Sequence, residues 1–208
     1  MKNTLLNMIL VLGGISAVAS AGVGYVYKIT EGPIAAAVEA NKTAALAGVL
    51  PAFDATTPAE MTLDEIPVTV HTATQGGNVV GYAVETATRQ GFSGEFRLMV
   101  GFSPNGKVLA VEVLQHAETP GLGDKMAGEG NPLLASFRGR NPGGMNLAVR
   151  KDGGDVDALT AATITSRAYV DAVARAFNAV VRSTGGAGAD ADAGATANTR
   201  DNETPAAF

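Results

Sequence analysis

Residues 94–115, "GEFRLMVGFSPNGKVLAVEVLQ", carry the pattern that decides the fold. Successive side chains of an extended chain point to opposite faces, so Phe96, Leu98, Val100 and Phe102 fall together on one face. "SPNG" (Ser103 to Gly106) supplies turn chemistry, and "KVLAVEVLQ" returns as a second apolar run, which predicts a β-hairpin. Working toward the N-terminus, "IPVTVHTAT" (66–74) and "VVGYAVETAT" (79–88) read as two more strands, with "QGGN" (Gln75 to Asn78) as the turn between them. A meandering antiparallel sheet follows. Toward the C-terminus, "HAETPGLGDKM" (116–126) is too rich in Gly and Pro for helix or strand. "NPLLASFRGR" then predicts a short helix, "MNLAVRK" a strand and "DGGD" (Asp152 to Asp155) a turn. In the last element Tyr169, Val173, Phe177, Val180 and Val181 line one stripe of a helix, with Arg167, Asp171, Arg175 and Asn178 on the other side. Strands first and helix last, without regular alternation, indicate an α+β fold: an antiparallel sheet with packed helices.

Both ends of the chain differ from this middle. Leu5 to Tyr27 bear no charged side chain and are long enough to cross a bilayer core as a helix. A cleaved signal peptide is the rival reading, because Ala19-Ser20-Ala21 is an A-x-A pattern. Apolarity continuing through Val23, Tyr25, Val26 and Tyr27 favours an anchor. Lys2 and Lys28 flank the span evenly, so the charge rule for orientation barely votes. With the bulk of the chain after the span, a single-pass protein of the inner (cytoplasmic) membrane with its soluble domain on the periplasmic, extracytoplasmic side is the simpler reading. Ile34, Val38, Leu46, Val49 and Leu50 keep helical spacing until Pro51. Residues 183–208 are Ala, Gly, Asp, Asn and Thr with almost no large apolar side chain, and predict a disordered tail. The expected organisation is a transmembrane anchor (1–28), a helical connector (29–66), a folded domain (67–182) and the tail (183–208).

Composition removes several functions. The chain of 208 residues has no cysteine and two histidines, which leaves no thiolate chemistry, no chain-held iron–sulfur cluster and no metal centre at ligand spacing. Redox chemistry would need an outside cofactor. A formal charge of −5 without a basic patch argues against nucleic acid.

What remains is the start of the last helix. In "DALTAATITS" (157–166), Thr160, Thr163, Thr165 and Ser166 place four hydroxyls where helix amides lack partners and the peptide dipoles add positive charge, while Ala161 and Ala162 permit close backbone approach. An anion such as phosphate suits this place. On local sequence alone, plain capping by Ser and Thr is the stronger reading, since these residues at a helix start are usually just caps.

Residues 157–163, "DALTAAT", resemble the flavinylation motif Asp-x-x-(Ser/Thr)-Gly-Ala-Thr of a family of FMN-binding domains. Such domains are found in the G subunit of the Rnf electron-transport complex and in the C subunit of the sodium-translocating NADH:quinone reductase. Asp157 matches the motif acid, Thr160 the Ser/Thr, Ala162 the alanine and Thr163 the last threonine, while Ala161 stands where the motif has glycine. The resemblance implies that a flavin transferase esterifies Thr163 to the phosphate of FMN. Glu118-Thr119-Pro120-Gly121-Leu122-Gly123 is similar to the family's Glu-Thr-Pro-Gly-Leu-Gly loop, which lies against the flavin. By that likeness Thr119 and the amides near Gly121 and Gly123 are ring or ribityl contacts, and Leu122 packs on the ring. Glu118 accepts from the flavin or orients the loop, against the plain alternative of a solvated acid. Lys125 reads as exposed, His116 as a surface residue, and Phe92 and Met126 as either flavin contacts or core.

The short interval before the sheet fits the Rnf G subunit better than its longer quinone reductase counterpart. The resemblance then implies a membrane-anchored carrier of electrons with covalent FMN, in an ion-translocating complex coupling ferredoxin and NAD redox chemistry, with other membrane subunits as partners. The same chemistry in the quinone reductase, or in a stand-alone flavoprotein, is the second reading. An anchored extracytoplasmic binding or assembly module, with "TAATITS" as a mere cap, is the third.

Overall fold

A computed structural model describes residues 2–128 and 130–185. The chain divides into two compact units, Met1–Ala45 and Leu46–Phe208. Helix α1 (Lys2–Val49) is one continuous helix with Pro33 inside it, where the sequence suggests a span and a separate connector. It is long and apolar enough to cross a membrane, a candidate anchor, and its large apolar side chains from Leu5 to Val38 are exposed.

Five strands follow: β1 (Ala55–Leu63), β2 (Ile66–Gln75), β3 (Asn78–Gly91), β4 (Gly94–Phe102) and β5 (Val108–Gln115). Each pairs antiparallel with the next, in the order β1-β2-β3-β4-β5. β1 corrects the helical connector expected over 29–66. Its side chains are mostly exposed, so "ATTPAEMTL" carries no period-two apolar signal, and in the sheet it pairs with β2. The β1–β2 turn, Asp64-Glu65, takes positive φ at both residues (52° and 61°) without the Gly or Asn that announces such a turn. β1 is an open edge of the sheet, and it carries an exposed Pro58.

Two short segments also differ from expectation. "MNLAVRK" forms no strand; Val149 makes a single bridge to Val156, and Arg150–Asp152 is one 3-10 turn. "HAETPGLGDKM" is a loop, as expected, that tightens into a 3-10 turn over Gly123–Ala127. Helix α2 (Pro132–Phe137) starts at Asn131, whose side chain accepts from the Leu134 amide at 2.7 Å, with Pro132 in the first turn where a missing N–H costs nothing.

Helix α3 (Thr163–Ser183) packs across the sheet, chiefly on β3. Tyr169, Val173, Phe177 and Val180 meet Val70, Val84, Phe96, Leu98, Val100 and Phe102 in one core. The other face of the sheet is covered in part. A Cβ at Gly101 would collide with the carbonyl of Val49, and one at Gly81 would meet the Leu50 side chain at 3.0 Å. Met99 is consequently as buried as its neighbours, which single-face alternation does not anticipate. Burial raises the Tyr169 phenol above its ordinary range, with the Glu112 charge adding to it. Arg175, expected on the solvent side, is buried instead, and its guanidinium donates to the Ala87 carbonyl (2.9 Å) and to Asp171 and Asp64. Of the tail expected over 183–208, residues beyond 185 lie outside the described part.

Candidate functional site

The two motifs meet in one pocket. Its volume is about 290 Å³, near the lower end of roughly 300–1,000 Å³ for small-molecule sites. Phe92, Glu118, Thr119, Leu122, Gly123 and residues 161–165 line it. Three segments supply these residues: the two-residue β3–β4 turn, the 118–123 loop and the start of α3. The link between the motifs is a hydrogen bond, in which the Thr165 hydroxyl donates to Glu118 Oε2 at 2.8 Å.

The four hydroxyls of "TAATITS" have different fates. Ser166 is fully buried; its Oγ donates to the Ala162 carbonyl (2.8 Å) and accepts from the Leu159 amide (2.9 Å), so it closes the turn and does not line the pocket. Thr165 is buried and committed to Glu118. Thr160 is exposed and outside the lining. Thr163 is half-buried on the pocket wall. The helix N-cap is Ala162, which has no side-chain hydrogen bond to offer, so the capping reading has no residue to perform it at that position.

Ala161 adopts φ +62°, a left-handed conformation that glycine takes freely and alanine at a cost of about 1–2 kcal/mol. This is the position where the flavinylation motif carries glycine. Asp157 is tied on two sides: its amide donates to Ser136 Oγ (2.9 Å) and its carboxylate pairs with Arg150. Arg167 grips Asp152 through two hydrogen bonds of 2.7 and 2.8 Å, which holds the Asp152 carboxyl below the usual carboxylate range.

In the loop, Thr119, Leu122 and Gly123 reach the pocket, while Gly121 is exposed at a turn with φ +79° and does not line it. Glu118 is 4% exposed, which removes the solvated-acid reading. Lys125 is exposed, Met126 belongs to the core, and Phe92 does not: it is 66% exposed at the pocket. Ile164, 48% exposed, joins Phe92 and Leu122 as a third apolar side chain there. Sequence reasoning passes over Ile164, since a single apolar side chain off the buried stripe is ordinary and only the fold groups it with Phe92 and Leu122.

A family model described as "FMN-binding domain" matches residues 91–178, from the Phe92 turn through most of α3. A protein of Cereibacter sphaeroides, named as the G subunit of an ion-translocating oxidoreductase complex, is 38% identical over 177 residues, 80% of each chain. The chain belongs to this G-subunit family. Proteins of the same name from Shewanella loihica and Haemophilus influenzae are each 44% identical, over 123 and 109 residues. Those two matches span 58% and 53% of the relatives' length, little more than half. The domain at the pocket is accordingly an FMN-binding domain.

Proposed function

We propose that the chain is a membrane-anchored electron carrier of an Rnf-type ion-translocating complex, with FMN attached through a phosphoester to Thr163. The observation that carries this reading is the pocket itself, which gathers the Thr119–Gly123 loop, the uncapped start of α3 and a half-buried Thr163 around three apolar side chains that the core does not use. These groups fit FMN at both ends. Helix amides without a side-chain cap suit a phosphate, and Phe92, Leu122 and Ile164 suit an apolar ring system. When bound, FMN supplies the reversible uptake and release of electrons. The chain's part is to hold it: the Thr163 oxygen forms the ester bond, the apolar side chains exclude water, and Thr119 and the Gly123 amide offer polar contact.

Covalent attachment suits a domain on the extracytoplasmic side of the inner membrane, where a dissociated cofactor would diffuse away. α1 serves as the single-pass anchor, a flavin transferase as the maturation partner, and other membrane subunits as electron donor and acceptor. The carrier handles electrons coupling ferredoxin and NAD chemistry to ion movement without itself being a complete enzyme. Intact mass of the full chain produced with a flavin transferase tests the proposal. An increment of FMN less water, located by peptide mapping on Thr163, is expected. An unmodified mass, with no yellow band after denaturation, leaves an anchored binding module instead.

A further inference from the structure

Glu118 stands at the junction of the three segments that form the pocket. Its Oε1 accepts the backbone N–H of Ser93, next to Phe92 in the β3–β4 turn, at 3.2 Å. Its Oε2 accepts the Thr165 hydroxyl in the first turn of α3 at 2.8 Å. Its own backbone begins the third segment. The fit around the carboxylate is close: a Cβ at Gly91 would lie 2.7 Å from Oε1, and one at Gly123 would lie 2.6 Å from Oε2. Hydrogen bonds to an ionised acceptor are stronger than neutral ones, and a buried charge without donors is costly. The carboxylate and its two donors therefore hold one another in place.

We propose that Glu118 is a positioning residue, pinning the Phe92 turn and the start of α3 on either side of the pocket so that a flavin carried by Thr163 is held in one orientation. This rests on flavin attachment at Thr163. Glu118 acts through Ser93 and Thr165 rather than as a flavin ligand. Glutamine at 118 is nearly the same shape but neutral, with one acceptor oxygen and one NH2 group, so the Thr165 hydroxyl must turn from donating to accepting and the Ser93 amide exchanges a charged acceptor for a weaker, neutral one.

The test compares full-length flavinylated protein in detergent as the parent, E118Q, T165V and T165S. Intact mass reports attachment, hydrogen exchange reports the Ser93 amide, and flavin fluorescence anisotropy reports how firmly the ring is held. E118Q is expected to speed Ser93 exchange roughly tenfold or more. T165V is expected to speed the same amide, which it does not touch, and both variants are expected to lower anisotropy with the mass increment intact. T165S, which keeps the hydroxyl, is expected to restore both readouts. A lowered Tm in E118Q with anisotropy and Ser93 exchange at parent values overturns the proposal and leaves a structural role. Should E118Q not fold, the T165V and T165S pair decides by the same criterion. A parent chain without the mass increment overturns the attachment reading and this proposal with it, whereas an intact increment with unchanged anisotropy overturns this one alone.

Discussion

Helix α3 carries two polar regions built on opposite terms. In its middle, Arg175 is 6% exposed, and its donors are matched to Ala87, Asp171 and Asp64, with Thr88 donating to Asp171 at 3.0 Å. At its start Thr165 and Ser166 are likewise buried and bonded, but the N-cap side chain makes no hydrogen bond, Thr163 faces the pocket, and Ile164 exposes an apolar side chain. A buried guanidinium must be satisfied within the protein or destabilise it, so the middle of the helix is closed by necessity. At the N-cap no side chain uses the first helix amides in this way. The difference separates the polar groups of one helix that packing has already used from those it has left at the surface of a pocket.

The sharpest way to break this contrast is Thr163→Ala. It is expected to abolish the covalent flavin increment in intact mass while leaving the circular dichroism of the fold unchanged; flavin persisting at Thr160 or Thr165 would move the open site elsewhere. Next, Arg175→Met is expected to destabilise the domain by about 2–3 kcal/mol in urea unfolding, because it strands a partly buried Asp171 and the Ala87 carbonyl. Flavin attachment should survive wherever the fold does. Ala161→Gly relieves the left-handed alanine at about 1–2 kcal/mol but loosens the unfolded chain by about 0.5–1 kcal/mol. A net gain of up to about 1.5 kcal/mol, read as a raised Tm with no loss of attachment, is the expected result.

The smallest effect concerns pH. The folded carboxyl of Asp152 titrates below its unfolded value because Arg167 hydrogen-bonds it, so its contribution is present above the ordinary carboxylate pKa and lost as pH falls through the lower folded one. Tm measured from about pH 6 down to about 2 should fall slightly less steeply in Arg167→Ala than in the parent.

The residues that spoke plainly in the sequence are those whose environment is local. Phe96, Leu98, Val100 and Phe102 alternate because one face is core, and Asn131-Pro132 marks a helix start through bonds made within one turn. β1 was silent because an exposed edge strand needs no apolar alternation, and its Asp64-Glu65 turn lacks the usual residues. Arg175 misled because its burial depends on Asp64 and Ala87, far away in sequence. At the site, both motifs could be read as strings, but the bond between Glu118 and Thr165 could not, since it joins residues 47 apart. The sorting of the hydroxyls is likewise a property of the packed helix, in which Ser166 turns inward and Thr163 does not.

Pro58 on the exposed edge of β1 has a consequence for how copies of the chain behave toward one another. An uncovered sheet edge is a template on which another strand can grow, and proline contributes no N–H to that row. With the charged side chain of Glu60 two residues on, the edge is interrupted at its centre and carries charge. Edge-to-edge growth of one sheet onto the next, a first step toward fibrous aggregates, is discouraged at the one strand whose weak pattern made it invisible in the sequence.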